Sequence, residues 1–405
     1  MASIQSSLQA VNEENGQSIE DDNSNNFVPV RKTYNTLGLS ILCICIASFV
    51  IQTELAQFVQ TGIKFHKPYF ILWVAHSCYM IILPLQFMFR LNPLQYLIEF
   101  LDVGVELVGT IKPTYYSVLT RNQAAEEVDH NNYSINDTSI TQILTSRYYR
   151  SVIIYILKIS LLFACGICIS GYIWYIAVNL TTMAKLTAIY NTSCFWAYVF
   201  SIILLSESIK VEKIIATFLS ITGVVIMTFF GKENNDNGHF NNNTIVIVMG
   251  DLLACFGALM YGLYQVLYKK LGSPPTPSFL FANTITGLIG VHTFLFLWIP
   301  IPLLHFTGIE LFELPDSGTF GFILLIAIAG VFFNASFMLV IALTSPLFAA
   351  IGIMLTIPIV AWVDLIVINT PITVSTVVGS FCILLAFVLL SWASIRDEIR
   401  KLYFS

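Results

Sequence analysis

The chain has 405 residues, of which 56% are hydrophobic and 11% are charged, and its formal net charge at pH 7 is −5. A soluble domain carries about 25% charged residues, so this composition excludes an ordinary soluble protein and indicates a chain that lies mostly in lipid. The sequence has no tract rich in Lys or Arg, which excludes the usual electrostatic footprint of a nucleic-acid-binding protein. Residues 1–35 are mostly polar and include five acidic residues, and we expect them to form a disordered cytosolic tail.

Ten apolar runs follow, each long enough to cross a hydrocarbon core about 30 Å thick as a helix. They divide five and five, and an odd number of spans per half makes the second half enter the membrane from the opposite side. This plan is typical of secondary transporters. We therefore predict an all-α integral membrane protein whose ten transmembrane helices form two inverted five-helix repeats, 36–230 and 244–393. The predicted spans are 36–59, 68–89, 151–175, 182–206, 212–230, 244–268, 279–303, 319–343, 345–367 and 373–393.

The basic residues predict the orientation of these spans. With the N-terminus in the cytosol, fourteen of the nineteen Lys and Arg residues are cytosolic, three lie on the other side, and Lys158 and Lys185 lie within spans. Such a bias marks the cytosolic face. Both termini are therefore predicted to be cytosolic, as are the polar loop insert 90–147 and the tail 394–405. Golgi, vacuolar and plasma membranes all stay open.

The eight cysteines all lie inside apolar runs, where they act as small hydrophobic residues rather than as a disulfide framework. Cys165 and Cys168 have the spacing of a metal or redox pair, but no second Cys pair or His accompanies them. The sequence also shows no convincing set of paired acids, His-rich motif or activated nucleophile. We expect no metal, no cofactor and no enzymatic activity.

Four segments resemble the F subfamily of solute carrier family 35, within the drug/metabolite transporter superfamily with its EamA-type repeats. They are Lys67–Trp73, Leu186–Tyr198, Ala258–Lys270 and Ile351–Asp364, in the order of the family. The resemblance implies ten helices in inverted repeats, with helices one to four and six to nine around a central cavity. It also implies a carrier, since members similar to this chain have been linked to thiamine and others to nucleotide sugars.

Charged residues within the spans are candidates for the site, because an unpaired charge in hydrocarbon costs roughly 2.5–3.5 kcal/mol. Glu54 and Gln57 share one face of the first span and form a polar stripe that faces either the cavity or the interface. Glu54 resembles the acidic position that F-subfamily members carry in this helix. Lys185, near the start of the fourth span, either extends to the interface or pairs with Glu54 as a lumenal gate.

Four further residues are candidates for ion pairs or gating. Lys158 lies about 12 Å into the third span, too deep for easy contact with water, and Glu207 is a candidate partner. Asp364 matches the family's Asp after the Ile-Pro motif and is predicted either to cap a helix or to contact substrate. Pro358 breaks a helical hydrogen bond and could bend the ninth span.

Polar and aromatic residues near the middle of the spans complete the predicted site. The polar ones could line the cavity or bond neighbouring helices, and the aromatic ones could stack on a heterocycle or a cation, or simply pack. These residues are Trp73, His76, Tyr175, Asn191, Tyr261 and Asn334.

The sequence therefore predicts a secondary transporter that moves a small organic solute by alternating access. Thiamine or a related vitamin is the first expectation, because a cationic ring suits Glu54 and aromatic stacking. A nucleotide sugar or another phosphate-bearing metabolite is the alternative, with Lys158 or Lys185 as the phosphate ligand. A non-transporting receptor or scaffold is the second alternative. The expected partners are the solute and the lipid bilayer, and a homodimer is left open.

Overall fold

The computed structural model of the chain describes residues 40–56, 58–89, 93–111, 147–178, 180, 186, 189–230, 244–359 and 373–404. These residues form helices and connections, and no strand occurs among them. The helices include α1 (Ser40–Gln60), α2 (Pro68–Ser77), α3 (Ile82–Phe89), α4 (Pro93–Ile111), α5 (Arg147–Val178), α6 (Ser193–Leu205), α7 (Val211–Phe230), α8 (Thr244–Leu267), α9 (Phe279–Phe296), α10 (Pro300–Phe306), α11 (Ser317–Leu343), α12 (Pro346–Met354) and α13 (Val374–Phe404).

Seven segments of the described chain are long and apolar enough to cross a membrane. They are Ser40–Gln60, Pro68–Gln86, Tyr149–Ala177, Val248–Gly272, Phe279–Phe296, Ser317–Leu343 and Val374–Ala393. Ile189–Leu205 and Pro346–Ile359 are apolar but shorter. The predicted all-helical, multi-pass membrane fold is confirmed.

The insert 90–147 was expected to be a loop, and this expectation is wrong for its first part, which forms helix α4. Helix α4 is amphipathic, with buried residues at Tyr96, Phe100 and Leu101 and an exposed Asp102. Its apolar side packs on the bundle, where Phe100 stacks on Phe281 of α9 with ring centroids 5.2 Å apart. An apolar face of this kind stabilises a surface helix by leaving water.

The seventh predicted span, 279–303, is also shorter than expected. Helix α9 ends at Phe296, residues 297–299 form a turn, and α10 begins at Pro300. The two prolines of this segment, Pro300 and Pro302, lack a backbone N–H and suit a helix start better than a helix interior. The chain that follows α10 returns to the bundle at the start of α2, where Glu310 accepts the Tyr69 N–H.

Small residues let the helices approach closely at two positions that shape the bundle. A Cβ at Gly223 of α7 would lie 2.7 Å from the Gly379 carbonyl oxygen of α13, so these two helices touch along their backbones. A Cβ at Gly262 of α8 would lie 2.9 Å from the Ser193 carbonyl oxygen of α6. Such contacts replace the hydrophobic effect as the source of helix association in lipid.

Candidate functional site

Aromatic rings bridge the centre of the bundle between α1, α8 and α11. Phe49 of α1 contacts Phe333 at a centroid distance of 4.9 Å, and Phe333 stacks on Phe337 one turn along α11 at 5.6 Å. Phe337 in turn stacks on Tyr261 of α8 at 6.0 Å, with ring planes 10° apart. We call Phe49, Phe333, Phe337 and Tyr261 the aromatic layer. Its rings connect α1 in the first half of the chain with α8 and α11 in the second half.

Three amide side chains border this layer without the hydrogen bonds that buried amides normally make. Asn334 and Gln265 are fully buried, and both amide atoms of each lack a partner among the described residues. The Oε1 of Gln52 is also buried and without a partner there. We call Gln52, Gln265 and Asn334 the orphan amides. A buried polar group left without a partner costs about 1–3 kcal/mol, so each is a place where a ligand would gain affinity.

The orphan amides lie on both sides of the aromatic layer. Helices α8 and α11 run in the same direction, as a contact between their C-terminal ends shows: Lys269, just beyond α8, donates to the Ala342 carbonyl near the end of α11 at 2.7 Å. Asn334 precedes Phe337 by about 4.5 Å of helix rise, whereas Gln265 follows Tyr261 by about 6 Å in the same direction. Gln52 lies on the Asn334 side, since a Cβ at Gly330 would sit 3.3 Å from its Nε2.

Glu54 lies on the opposite side of α1 from this site. Cys45, Phe49 and Gln52 turn toward α11, whereas the Glu54 side chain is exposed. On α1, Gln52 rather than Glu54 therefore faces α11. Gln57 lies outside the described residues.

His76 and Trp73 of α2 join neighbouring helices. The Nδ1 of buried His76 lies 3.3 Å from the Cys168 thiol of α5, within hydrogen-bond reach. The Trp73 indole N–H donates to the Thr293 carbonyl of α9 at 3.2 Å. Both residues thus form hydrogen bonds between helices in this structure, a role that the sequence allowed for His76 but did not suggest for Trp73.

The predicted partner of Lys158 is wrong. Glu207 accepts a hydrogen bond from Lys213 at 2.6 Å, in an ion pair beside the start of α7. Lys158 itself lies on the exposed side of α5. Glu207 lies in the connection between α6 and α7, and the chain turns sharply at the preceding Ser206, where φ is 54°, which brings Glu207 beside Lys213 of α7.

The other predicted residues differ in their surroundings. Tyr175 is buried against the Trp174 ring at 5.1 Å, and Asn191 is half-buried just before α6. Lys185 and Asp364 lie outside the described residues. Helix α12 ends at Met354, and a turn at Leu355 separates it from the short helical segment 356–359 that contains Pro358. Because proline has no N–H, Pro358 cannot donate to the Met354 carbonyl, which would be its usual helical partner.

Sequence reasoning passed over Gln265 and Gln52, although the signal that singled out Asn334 applies to both. Gln265 is a lone amide in an apolar helix, four residues after Tyr261 and hence on the same face. Gln52 was not singled out because the charge of Glu54, two residues later, was taken as the functional signal of this helix.

Comparison with known proteins was made by sequence and by structure. No known family profile matches the chain. It is 26% identical over 385 residues to an uncharacterized vacuolar membrane protein of Saccharomyces cerevisiae, covering 90% of this chain and 92% of that one. It is 28% identical over 205 residues to solute carrier family 35 member F5 of Bos taurus, covering 50% of this chain and 37% of that carrier. The chain is a homologue of the solute carrier family 35 F-type transporters. The predicted resemblance is confirmed.

Two further likenesses bear on this F-type homologue. It is 25% identical over 237 residues to a thiamine-repressible mitochondrial transport protein of Saccharomyces cerevisiae, covering 58% of this chain and 62% of that protein. The names of these relatives describe transporters and membrane proteins rather than enzymes. A crystal structure of a protein superposes with a TM-score of 0.50 over 89% of this chain and 99% of that chain, at 12% identity, which concerns the fold alone.

Proposed function

We propose that this F-type homologue is a secondary transporter that moves a small organic solute by alternating access, and that the orphan amides and the aromatic layer bind the solute. The observation that carries the proposal is the burial of Asn334 and Gln265 without hydrogen-bond partners among the described residues, on opposite sides of one set of stacked rings. A solute that passes the layer would exchange one amide for the other. The two inverted five-helix repeats, with both termini in the cytosol, belong to the same proposal.

We propose thiamine or a related vitamin as the first solute to test. The faces of Tyr261 and Phe337 suit a planar ring, and a ring face attracts a cation. Amide side chains both donate and accept, so they suit the nitrogen-rich edge of a heterocycle. The thiamine-repressible relative supports the choice only through the word in its name.

A nucleotide sugar ranks second because its phosphates need cationic ligands. Lys158, one of the two lysines proposed for this role, lies on the exposed side of α5 and away from the aromatic layer. The described residues that form the layer and the orphan amides are all uncharged. This site therefore favours a neutral or cationic ring over a phosphate.

The test is uptake by the purified full chain reconstituted in proteoliposomes. Radiolabelled thiamine and a radiolabelled nucleotide sugar are offered separately to vesicles preloaded with the same unlabelled compound. The proposal expects saturable exchange of thiamine above the level of protein-free vesicles. Exchange of the nucleotide sugar alone would replace the first substrate with the second, and no exchange across a broad solute panel by folded protein would favour a receptor or scaffold.

A further inference from the structure

A segment from the second half of the chain covers the start of α2 in the first half. Residues 307–316 connect α10 to α11. In this segment the Glu310 carboxylate accepts the Tyr69 N–H at 3.0 Å and the Phe70 N–H at 3.1 Å. Both N–H groups belong to the first turn of α2, where a helix offers no acceptor of its own. The Phe312 ring also meets the Phe70 ring at a centroid distance of 5.8 Å. We call residues 307–316 the α2 lid.

Helix α4 covers the start of α9 in a corresponding way, with the two halves exchanged. Glu106 of α4 accepts a hydrogen bond from the Thr276 hydroxyl at 2.8 Å, two residues before Ser278, whose side chain caps the first turn of α9. The Phe100 ring of α4 stacks on the Phe281 ring with centroids 5.2 Å apart. We call helix α4 the α9 lid.

The two lids occupy equivalent places in the two halves. Helices α2 and α9 each begin the second predicted span of their half, and each lid lies in the connection that follows that span. Phe70 is the third residue of α2, and Phe281 is the third residue of α9. Each half therefore supplies a glutamate and a phenylalanine that contact the equivalent helix of the other half at or just before its start.

The lids lie at opposite ends of the bundle, because α2 and α9 run in opposite directions. The Trp73 indole N–H, near the start of α2, donates to the Thr293 carbonyl near the end of α9 at 3.2 Å. At the other end, the Thr284 hydroxyl near the start of α9 donates to Gln86 Oε1 of α3 at 3.1 Å. Both lids are closed in this structure. A solute-sized opening between the halves at either end must separate the lid there from the helix that it covers.

Each lid is also tied to its own half. The Phe312 N–H of the α2 lid donates to His305 Nδ1 of α10 at 3.0 Å. The Tyr149 hydroxyl of α5 donates to Asp102 of the α9 lid at 2.9 Å. When one half tilts against the other, each lid therefore moves with the half that carries it. Such a tilt separates the halves at one end and presses them together at the other.

We propose that the α2 lid and the α9 lid are the two gates of the transport cycle, one at each end of the bundle, and that they open alternately. The inference rests on the proposed function, because it assigns alternating access to two named parts of the chain. Weakening one lid favours the state that is open at its own end. Because the open states compete for one population, the state that is open at the other end must become rarer.

The test is hydrogen exchange of the full chain in nanodiscs without solute, read at residues 281–285 near the start of α9. Phe100→Ala together with Glu106→Ala weakens the α9 lid and should raise this exchange severalfold. Adding Glu310→Ala weakens the α2 lid at the opposite end. In the triple variant we expect exchange at residues 281–285 to fall again by about twofold or more, because the state open at the α2 end now competes. Where Phe100→Ala prevents folding, Phe100→Leu removes the ring contact with less loss of volume.

Asp316→Ala is the matched control, because Asp316 is a carboxylate cap that α11 receives from its own half. Added to the same double variant, it should leave exchange at residues 281–285 unchanged. Exchange there that stays unchanged or rises further when Glu310→Ala is added would overturn the proposal, since the lids would then be independent structural contacts. The readout involves no solute and no transport, so a failure here is distinct from a failure of the proposed function.

Discussion

Replacing an orphan amide by leucine should stabilise this protein, which is the opposite of the usual effect of a buried polar-to-apolar change. In Gln265→Leu, an amide whose two polar atoms lack partners among the described residues is replaced by an apolar side chain that is one carbon shorter. A buried group without a hydrogen bond costs about 1–3 kcal/mol, and an apolar replacement removes that cost. Asn334→Leu should behave in the same way, because Asn334 is equally buried and also lacks partners in the described chain.

Gln86 provides the matched control, since it is an amide whose hydrogen bonds are made. Its Oε1 accepts from the Tyr96 hydroxyl at 2.9 Å and from Thr284 Oγ1 at 3.1 Å. Gln86→Leu strips both donors of this acceptor, although Tyr96 and Thr284 still lie 2.6 Å apart and can bond each other. We expect Gln86→Leu to lower the free energy of unfolding by about 1–2 kcal/mol.

The assay is the apparent Tm of each purified variant in the same detergent and without solute, followed by chemical denaturation where unfolding is reversible. Gln265→Leu and Asn334→Leu should raise the apparent Tm by about 2–5 °C, and Gln86→Leu should lower it. If Gln265→Leu destabilises the protein as much as Gln86→Leu, the amide has structural partners in the native state. The reasoning from orphan amides to a solute site would then be refuted.

Three other predictions follow from single contacts. Gly223→Ala should destabilise the contact between α7 and α13 by about 1–3 kcal/mol, because the added Cβ would meet the Gly379 carbonyl oxygen. Gly321→Ala is the control and should be neutral or stabilising, because a Cβ there would meet nothing within 4 Å. The apparent Tm of both variants is measured, and equal effects would contradict the close approach of α7 and α13. Asp316 caps α11 by accepting from the Gly318 and Thr319 N–H groups at 3.0 and 3.2 Å. The Thr319 hydroxyl bond, together with these N–H bonds, lowers the pKa of Asp316. Asp316→Asn should therefore lower the apparent Tm at pH 7 and flatten its loss in acid, and an unchanged pH profile would count against the cap. Lys213→Ala should remove the ion pair with Glu207 and lower the protection of residues 206–212 from hydrogen exchange, whereas Lys158→Ala should not. Equal loss of protection in both variants would support the pairing of Lys158 with Glu207.

The sequence predicted most of the helices because the bilayer imposes a length on each apolar run. It did not predict α4, whose apolar residues recur at helical spacing but are interrupted by Glu99, Asp102 and Glu106, so the segment lacks the uncharged apolar run of a transmembrane span. It also extended α9 past Phe296, because residues 297–303 are apolar. Hydropathy alone does not distinguish a helix that continues from one that stops at a turn before Pro300.

The candidate site was only partly predictable, since the sequence gives the period of a helix but not which face turns inward. On α1, the positions Thr53, Glu54 and Gln57 and the positions Cys45, Phe49 and Gln52 both follow helical spacing. Contacts with Phe333 and Gly330 select the second set. The sequence singled out Asn334 and Tyr261 because a polar or aromatic side chain in midspan is a candidate whichever way the helix is turned.

The central claim is that the orphan amides bind the transported solute, and the KM of the Asn334→Leu and Gln265→Leu variants tests it most directly. Each variant is reconstituted beside the native chain once it is shown to be folded, and exchange of the solute identified in proteoliposomes is measured over a range of concentrations. The account predicts that both variants lose saturable exchange or raise its KM at least about tenfold, the loss of about one hydrogen bond to solute. Native KM and native maximal rate in two folded variants would contradict it.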